Sequence, residues 1–391
     1  MKVLNVNTAI DSLSGGGTAE RTFQLARFLA GRNVRCTVLA LKISKNSVMA
    51  AKALPGVNVI LLPCLLRRFY LPMVSPKKLK AIIADADIIH LIGHWTLLNA
   101  LVYYLARKLN KPYVFCPAGA LAIFGRSKVL KKLYQCLVGR KIVENASCCI
   151  AITAEEIALF HEHGVRKDHI TLIPNGIHIP DYTLPDNSPS VLPQWPNHII
   201  NIAKSKYLLF VGRLNYIKGP DLLLQAFKNI AMKYSEIHLV FAGPDGGMLK
   251  KLEDEVRASQ LDHRVHFIGY VGGRDKLALY RQALLLAIPS RHEAMSLVVL
   301  EAGALTRPVL LTDQCGFDEV MQVNGGLVVT ATVQGIEEGL MELLSPESRL
   351  DSLGMNLKDH IAAHYTWDLQ TDKLIACYKN ILHAIPETFD I

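Results

Sequence analysis

Two glutamates stand with seven residues between them in the segment Ile288-Pro289-Ser290-Arg291-His292-Glu293-Ala294-Met295-Ser296-Leu297-Val298-Val299-Leu300-Glu301-Ala302. The apolar run Leu284–Ile288 reads as a strand and the run from Leu297 as a helix. Glu293 therefore falls in the loop between them, and Glu301 about one turn into the helix. A helix N-terminus presents unpaired backbone N–H groups that suit a phosphate. A carboxylate on that helix can accept hydrogen bonds from ribose hydroxyls, and one in the loop can reach a sugar. A helix-capping acid beside an exposed acid would give the same pattern.

Two further segments have the makings of an anion site. Phe210-Val211-Gly212-Arg213-Leu214, followed by Lys218-Gly219, places two cations five positions apart across a glycine-flanked turn at the end of a strand. A guanidinium fork and an ammonium point charge together suit a diphosphate; two solvated surface cations are the plainer alternative. Ser14-Gly15-Gly16-Gly17-Thr18 follows the first strand and precedes a helix, where glycine lets backbone approach a ligand, or simply makes a tight turn. It does not fit G-x-G-x-x-G, no acid ends the second strand to meet a ribose, and no G-x-x-x-x-G-K-[ST] occurs. A dinucleotide dehydrogenase and a P-loop nucleotide hydrolase are thus disfavoured.

The elements that must position these residues alternate strand and helix over 391 residues, a length that suggests two domains with parallel sheets. Strands are expected at Lys2–Asn7, Arg35–Leu41, Val57–Leu62, Ile88–Leu91, Tyr113–Pro117, Cys149–Thr153 and Ile170–Ile173, with helices such as Ala19–Arg32 and Thr96–Leu109 between them. The pattern breaks over residues 181–201, which carry Pro185, Pro189, Pro193 and Pro196. It then restarts with strands at Tyr207–Val211, His238–Ala242, Val265–Phe267, Leu284–Ile288, Val309–Thr312 and Gly326–Val329, and with helices including Asp221–Lys233 and Leu297–Ala304. The eight cysteines form no C-x-x-C pair and sit mostly in apolar runs, as expected of buried, reduced thiols rather than a zinc site.

Charge is unevenly spread. Residues 1–180 hold 24 Lys and Arg against 9 Asp and Glu, and residues 181–391 hold 19 against 25. The basic residues cluster with apolar ones at Arg67-Arg68-Phe69-Tyr70, at Lys77, Lys78 and Lys80, and at Arg126, Lys128, Lys131 and Lys132, a mixture that suits anionic lipid headgroups or a solvated face. No nucleic-acid-binding module is recognisable, so nucleic acid is not expected as a partner. The N-terminus reads as a strand without a signal-peptide core, and no stretch reaches the ~20 apolar residues of a membrane span. The expected location is cytoplasmic, peripheral at the inner face of the membrane.

The segments GGGTAERTFQLARFL, PNGI, FVGRLNYIKGPDLLLQAF, LVFAGPDG, HFIGYV and PSRHEAMSLVVLEAGALTRPVLLTDQCGFDEV occur in the order found in retaining glycosyltransferases of family 4, also called glycosyl transferases group 1. The resemblance runs from Gly15 to about Val320, and the closing Tyr365-Thr366-Trp367 with the last helix is also similar. It implies an α/β protein of the GT-B kind: two Rossmann-like doubly wound domains facing a central cleft, with a C-terminal helix crossing back to the first. The domains would be residues 1–185, for the acceptor, and 203–366, for the nucleotide sugar, joined by 186–202 and closed by the helix of 367–391.

The resemblance further implies a hexosyl transfer from a nucleotide-diphosphate sugar, retaining and without cofactor or metal, to a lipid-linked or surface-polysaccharide acceptor. Arg213 and Lys218 would neutralise the diphosphate, Glu293 would meet the sugar's hydroxyls and Glu301 the ribose. Backbone at Ser296 and Leu297 would hold a phosphate, with Gly212 in the turn before Arg213. Gly16 and Gly17 would admit the donor, Tyr270 and Val271 would lie near the base, and Asn175 with Gly176 would line the cleft. The chain departs from the family in two places. Cys116-Pro117-Ala118-Gly119-Ala120 stands where many members have His-Gly, with His94 a candidate substitute or a structural histidine. Ala294-Met295-Ser296 stands for Gly-Phe-Gly, so the sugar pocket is expected to be altered. A nucleotide-sugar 2-epimerase and a non-catalytic nucleotide-sugar-binding protein are the alternatives on the same scaffold.

Overall fold

A computed structural model describes residues 1–66, 70–123, 127–182, 205–346 and 349–384. Within them the chain forms two compact units: one runs from Met1 to Gly176 and is rejoined by the stretch from Trp367, and the other is Ile177–Thr366.

The first unit contains β1 (Lys2–Val6), α1 (Ser12–Ala30), β2 (Arg35–Lys42), α2 (Lys45–Lys52), β3 (Asn58–Leu66), β4 (Leu71–Pro72), α3 (Pro76–Asp85), β5 (Ile88–Ile92), α4 (Leu97–Lys108), β6 (Tyr113–Cys116), α5 (Lys128–Tyr134), α6 (Arg140–Glu144), β7 (Cys148–Ala151), α7 (Ala154–Glu162) and β8 (Ile170–Leu172). Its sheet has the order β4-β3-β2-β1-β5-β6-β7-β8, parallel except for β4. The alternation of side chains along a strand sorts the two faces. Leu4, Val6, Ile89, Leu91, Tyr113 and Phe115 join one apolar core, while His90, on the other face, bonds the Tyr378 hydroxyl at 2.7 Å.

The second unit contains β9 (Lys206–Val211), α8 (Pro220–Ile230), β10 (Ile237–Ala242), α9 (Leu249–Ala258), β11 (Val265–Gly269), α10 (Gly273–Gln282), β12 (Leu285–Ile288), α11 (Leu297–Ala304), β13 (Val309–Thr312), α12 (Glu319–Gln322), β14 (Gly326–Val329), α13 (Val333–Leu343) and α14 (Leu350–His364). The sheet order is β11-β10-β9-β12-β13-β14, parallel throughout. Four residues of β9 and all of β12 and β13 are buried, as strands covered by helices on both faces require.

Three expectations shift. Helix α1 begins at Ser12, not Ala19, because Asp11 caps it: one carboxylate oxygen accepts from Ser14 N at 2.9 Å and the other from Ser47 Oγ at 2.8 Å. The glycine segment lies at a break between two helical stretches of α1, where Gly16 is non-helical (φ 58°, ψ −141°). The first unit also ends before residue 185. Ile177 bridges Thr366 and donates to Tyr365 O at 2.7 Å, which assigns it to the second unit. The expected connection at 186–202 lies outside the described residues, as do Arg67, Arg68, Phe69 and Arg126.

The last helix, α15 (Trp367–His383), belongs to the first unit, where Asp368 and Asp372 pair with Arg32 beyond the end of α1. All eight cysteines are free. Five are buried, Cys64 and Cys377 are half-buried, and Cys136 is exposed against expectation.

Candidate active site

In the second unit, β9 is flanked by β10 on one side and β12 on the other. The loops leaving β9 and β12 thus diverge at the point where strand order reverses, the usual ligand position in an open parallel sheet. The loop after β9 is held by Leu214 N donating to Pro244 O and by Asn215, whose side chain accepts from Lys218 N at 3.0 Å. Gly219 ends it in the left-handed region (φ 66°), where a Cβ would lie 2.0 Å from Pro289 O. The two loops therefore lie backbone against backbone.

This contact brings Lys218 onto Glu293. The ammonium pairs with one carboxylate oxygen, and Ser290 Oγ donates to the other at 3.0 Å. Arg291 fastens the loops from outside. Its backbone N–H donates to Ile217 O, its guanidinium grips Asp221 at 2.8 and 2.7 Å, and its guanidinium carbon lies 4.0 Å from the centroid of the Tyr216 ring. Burial alone would raise Asp221, but the bonds and charge of Arg291 offset it and hold the carboxyl below its ordinary 3.8. That contribution to stability is complete above the ordinary value and is lost as pH falls through the lowered one. On the far side, Glu293 N donates to Gln314 O, and Gly316 (φ 60°) lies so close that its Cβ would be 1.9 Å from Ala294 O.

Helix α11 follows directly. Its N-terminal N–H groups lack intrahelical partners. The Ser296 hydroxyl at its N-cap is buried and has no hydrogen-bond partner among the described residues. Glu301, one turn on, receives Lys276 Nζ at 2.5 Å and Tyr182 OH at 3.3 Å on one oxygen and Tyr280 OH at 2.5 Å on the other. Arg213 is exposed at the end of β9, after Gly212. Tyr270 (59% exposed) and Val271 follow β11.

The candidates of the first unit are placed differently. Gly16 and Gly17 are exposed, and a Cβ on Gly16 would meet nothing within 4 Å. His94 is 1% exposed, enclosed by Trp95, Phe115 and Tyr134, with Nε2 2.9 Å from Gln135 Oε1. Burial lowers its pKa to about 4, so it is neutral at pH 7. Asn175 is buried as well, accepting from Arg21 at 3.0 Å. Gly119 (φ 84°) donates its N–H to the buried Glu156 carboxylate at 2.5 Å, which anchors the segment Cys116–Ala120.

Comparison with known families covers both units. A model described as Glycosyltransferase Family 4 matches residues 15–179, and one described as Glycosyl transferases group 1 matches residues 195–360. The chain belongs to the glycosyl transferases group 1 family. It is 34% identical over 176 residues to an uncharacterised glycosyltransferase of Methanocaldococcus jannaschii, covering 44% of this chain and 45% of that one. It is 29% identical over 258 residues to a D-inositol 3-phosphate glycosyltransferase of Corynebacterium urealyticum, covering 63% and 60%. The chain thus spans about half the length of the curated relatives it matches. The crystal structure of HepE from Anabaena, in complex with UDP and glucose, superposes with a TM-score of 0.80 at 17% identity, over 97% of this chain and 100% of that one. That likeness shows the GT-B fold.

For a group 1 glycosyltransferase, the sequence motifs miss the supports of the two glutamates. Lys276 and Tyr280 lie four apart on α10, and so on one helix face, which was a readable signal. Their target 25 and 21 residues later was not. Ser290, Asp221 and Arg291 were likewise unassigned.

Replacing Gly219 by alanine should be costly. The left-handed backbone alone costs about 1–2 kcal/mol, and the Pro289 carbonyl must also move. A lowered melting midpoint is expected, together with weaker nucleotide binding by calorimetry. Unchanged binding would mean that the loop contact does not position Lys218.

Proposed function

We propose that the chain transfers a hexosyl group from a nucleotide-diphosphate sugar to an acceptor with retention of anomeric configuration. The observation that carries this reading is the Lys218–Glu293 pair, held against α11 by the loops after β9 and β12. Lys218, Arg213 and the N-terminus of α11, with its unpartnered Ser296 hydroxyl, supply positive potential for a departing diphosphate. These groups would take the place of a metal ion. Glu293 then contacts the transferred sugar, Glu301 the ribose, and Tyr270 with Val271 the base. HepE, of the same fold, is described in complex with UDP and glucose.

In the reaction the acceptor oxygen bonds to the anomeric carbon from the face that the diphosphate leaves. The bond from that carbon to the diphosphate oxygen breaks with its electron pair on oxygen, and the acceptor's hydroxyl proton passes to the diphosphate. No enzyme nucleophile is required, unlike the paired carboxylates of retaining glycosidases.

The acceptor in this reading is lipid-linked, on a pathway building a surface polysaccharide, and the first unit contacts an anionic membrane. Support comes from α5, which has no buried residue. Val129 (80% exposed), Leu130 and Leu133 recur at three- and four-residue spacing on α5, beside Lys128, Lys131 and Lys132, and the π-helical turn that follows, Gln135–Gly139, adds the exposed Leu137. An apolar face rimmed by lysines suits an interfacial helix, each lysine contributing about 1 kcal/mol at an anionic surface. Among the described residues, no helix is long and apolar enough to cross a membrane.

Proton NMR of the product formed from an accepted donor should show the donor's anomeric configuration, with a rate unaffected by chelator. Lys218→Ala should lower kcat/KM by about 100-fold or more. Inversion, or chelator-dependent turnover, contradicts the mechanism; donor consumption without transfer to acceptor favours the epimerase.

Flotation with vesicles containing anionic phospholipid tests the membrane contact separately. Lys131→Glu with Lys132→Glu should release the protein, and binding equal to the parent's would remove this part of the reading.

A further inference from the structure

Glu301 is enclosed as much as it is presented. A carboxylate offers about four acceptor positions, and three are filled, by Lys276, Tyr182 and Tyr280. Tyr280 is fully buried. Burial first, and then the adjacent Glu301 charge, push its ionisation well above the ordinary 10, so it remains a hydroxyl donor at neutral pH. With these partners in place, Glu301 can accept from one more hydroxyl, not from both hydroxyls of a ribose diol.

Lys276 supplies what the carboxylate then lacks. An ammonium has three N–H donors, of which one reaches Glu301 Oε1 at 2.5 Å. The lysine side chain is 27% exposed and that of Glu301 13%, so both reach solvent from one spot. An acceptor and a donor this close match a hydroxyl, which gives one hydrogen and receives another. A simple electrostatic clamp would leave Lys276 only to hold Glu301 in place.

We propose that Lys276 is a specificity-determining residue for the donor's ribose, donating to the oxygen of the hydroxyl whose hydrogen goes to Glu301. The inference rests on the assignment of Glu301 to the ribose made above. It makes the site selective for ribonucleotides: a deoxy analogue lacking that hydroxyl leaves a partly buried ion pair without its ligand partner.

The test is calorimetric. Uridine, adenosine and guanosine diphosphates, and the 2′-deoxy and 3′-deoxy forms of whichever binds, are titrated into the wild type, Lys276→Met and Lys276→Arg. The wild type should bind one deoxy form about tenfold or more weaker than the ribonucleotide. Lys276→Met should lose about that factor for the ribonucleotide and nothing for that deoxy form, so discrimination disappears. Lys276→Arg, which keeps a donor, should restore it. If Lys276→Met weakens all ligands equally, or discrimination survives in it, the inference is overturned while the nucleotide site stands. If the wild type binds no nucleoside diphosphate, the donor reading itself falls, and this inference with it.

Discussion

The candidate site depends on three places where backbones meet too closely for any side chain to intervene. A Cβ at Gly219 would lie 2.0 Å from Pro289 O, one at Gly316 1.9 Å from Ala294 O, and one at Gly243 1.9 Å from Gly212 O. The loops after β9, β10, β12 and β13 are thereby drawn together at the carboxyl ends of their strands. Only because they touch can Lys218, on one loop, meet Glu293 on another. A half-buried ion pair is a poor source of stability, since desolvation offsets much of its attraction. Glycines that spend conformational freedom to create one are more readily understood as building a charged surface for a ligand.

The second consequence is graded access. Arg213 is exposed, Lys218 and Glu293 are half-buried, and Glu301 is enclosed by Lys276, Tyr182 and Tyr280. In the proposed reading Arg213 grips and releases the diphosphate from the water side, and each carboxylate is only partly open to solvent, Glu293 at 14% and Glu301 at 13%. Low local polarity strengthens their hydrogen bonds and raises the cost of an unmet one. Arg291 and Asp221 stand behind the loop and keep its geometry fixed.

Much of this was legible in the sequence, for reasons that differ residue by residue. Strand β9 and helix α11 announce themselves through local apolar runs, and the spacing of Glu293 and Glu301 follows from where those runs stop. The start of α1 was misplaced because its cap, Asp11, is fixed by Ser47 from another helix, a tertiary fact. The partners of His94 and Asn175, Gln135 and Arg21, lie 41 and 154 residues away, and no local pattern marks them. The lysine beside Glu301 escaped notice because its spacing from Tyr280 marks only a shared helix face, while the carboxylate it meets lies 25 residues on. Sequence pattern locates the elements; which polar groups face one another is decided by packing.

The account turns on the second unit recognising an activated sugar through its diphosphate and ribose. The most direct measurement is calorimetric binding of a panel of nucleotide sugars to the wild type and to Glu301→Ala. The account predicts that the wild type binds one nucleotide sugar selectively and that the variant loses it. Binding of no panel member, or equal binding by both proteins, would contradict it.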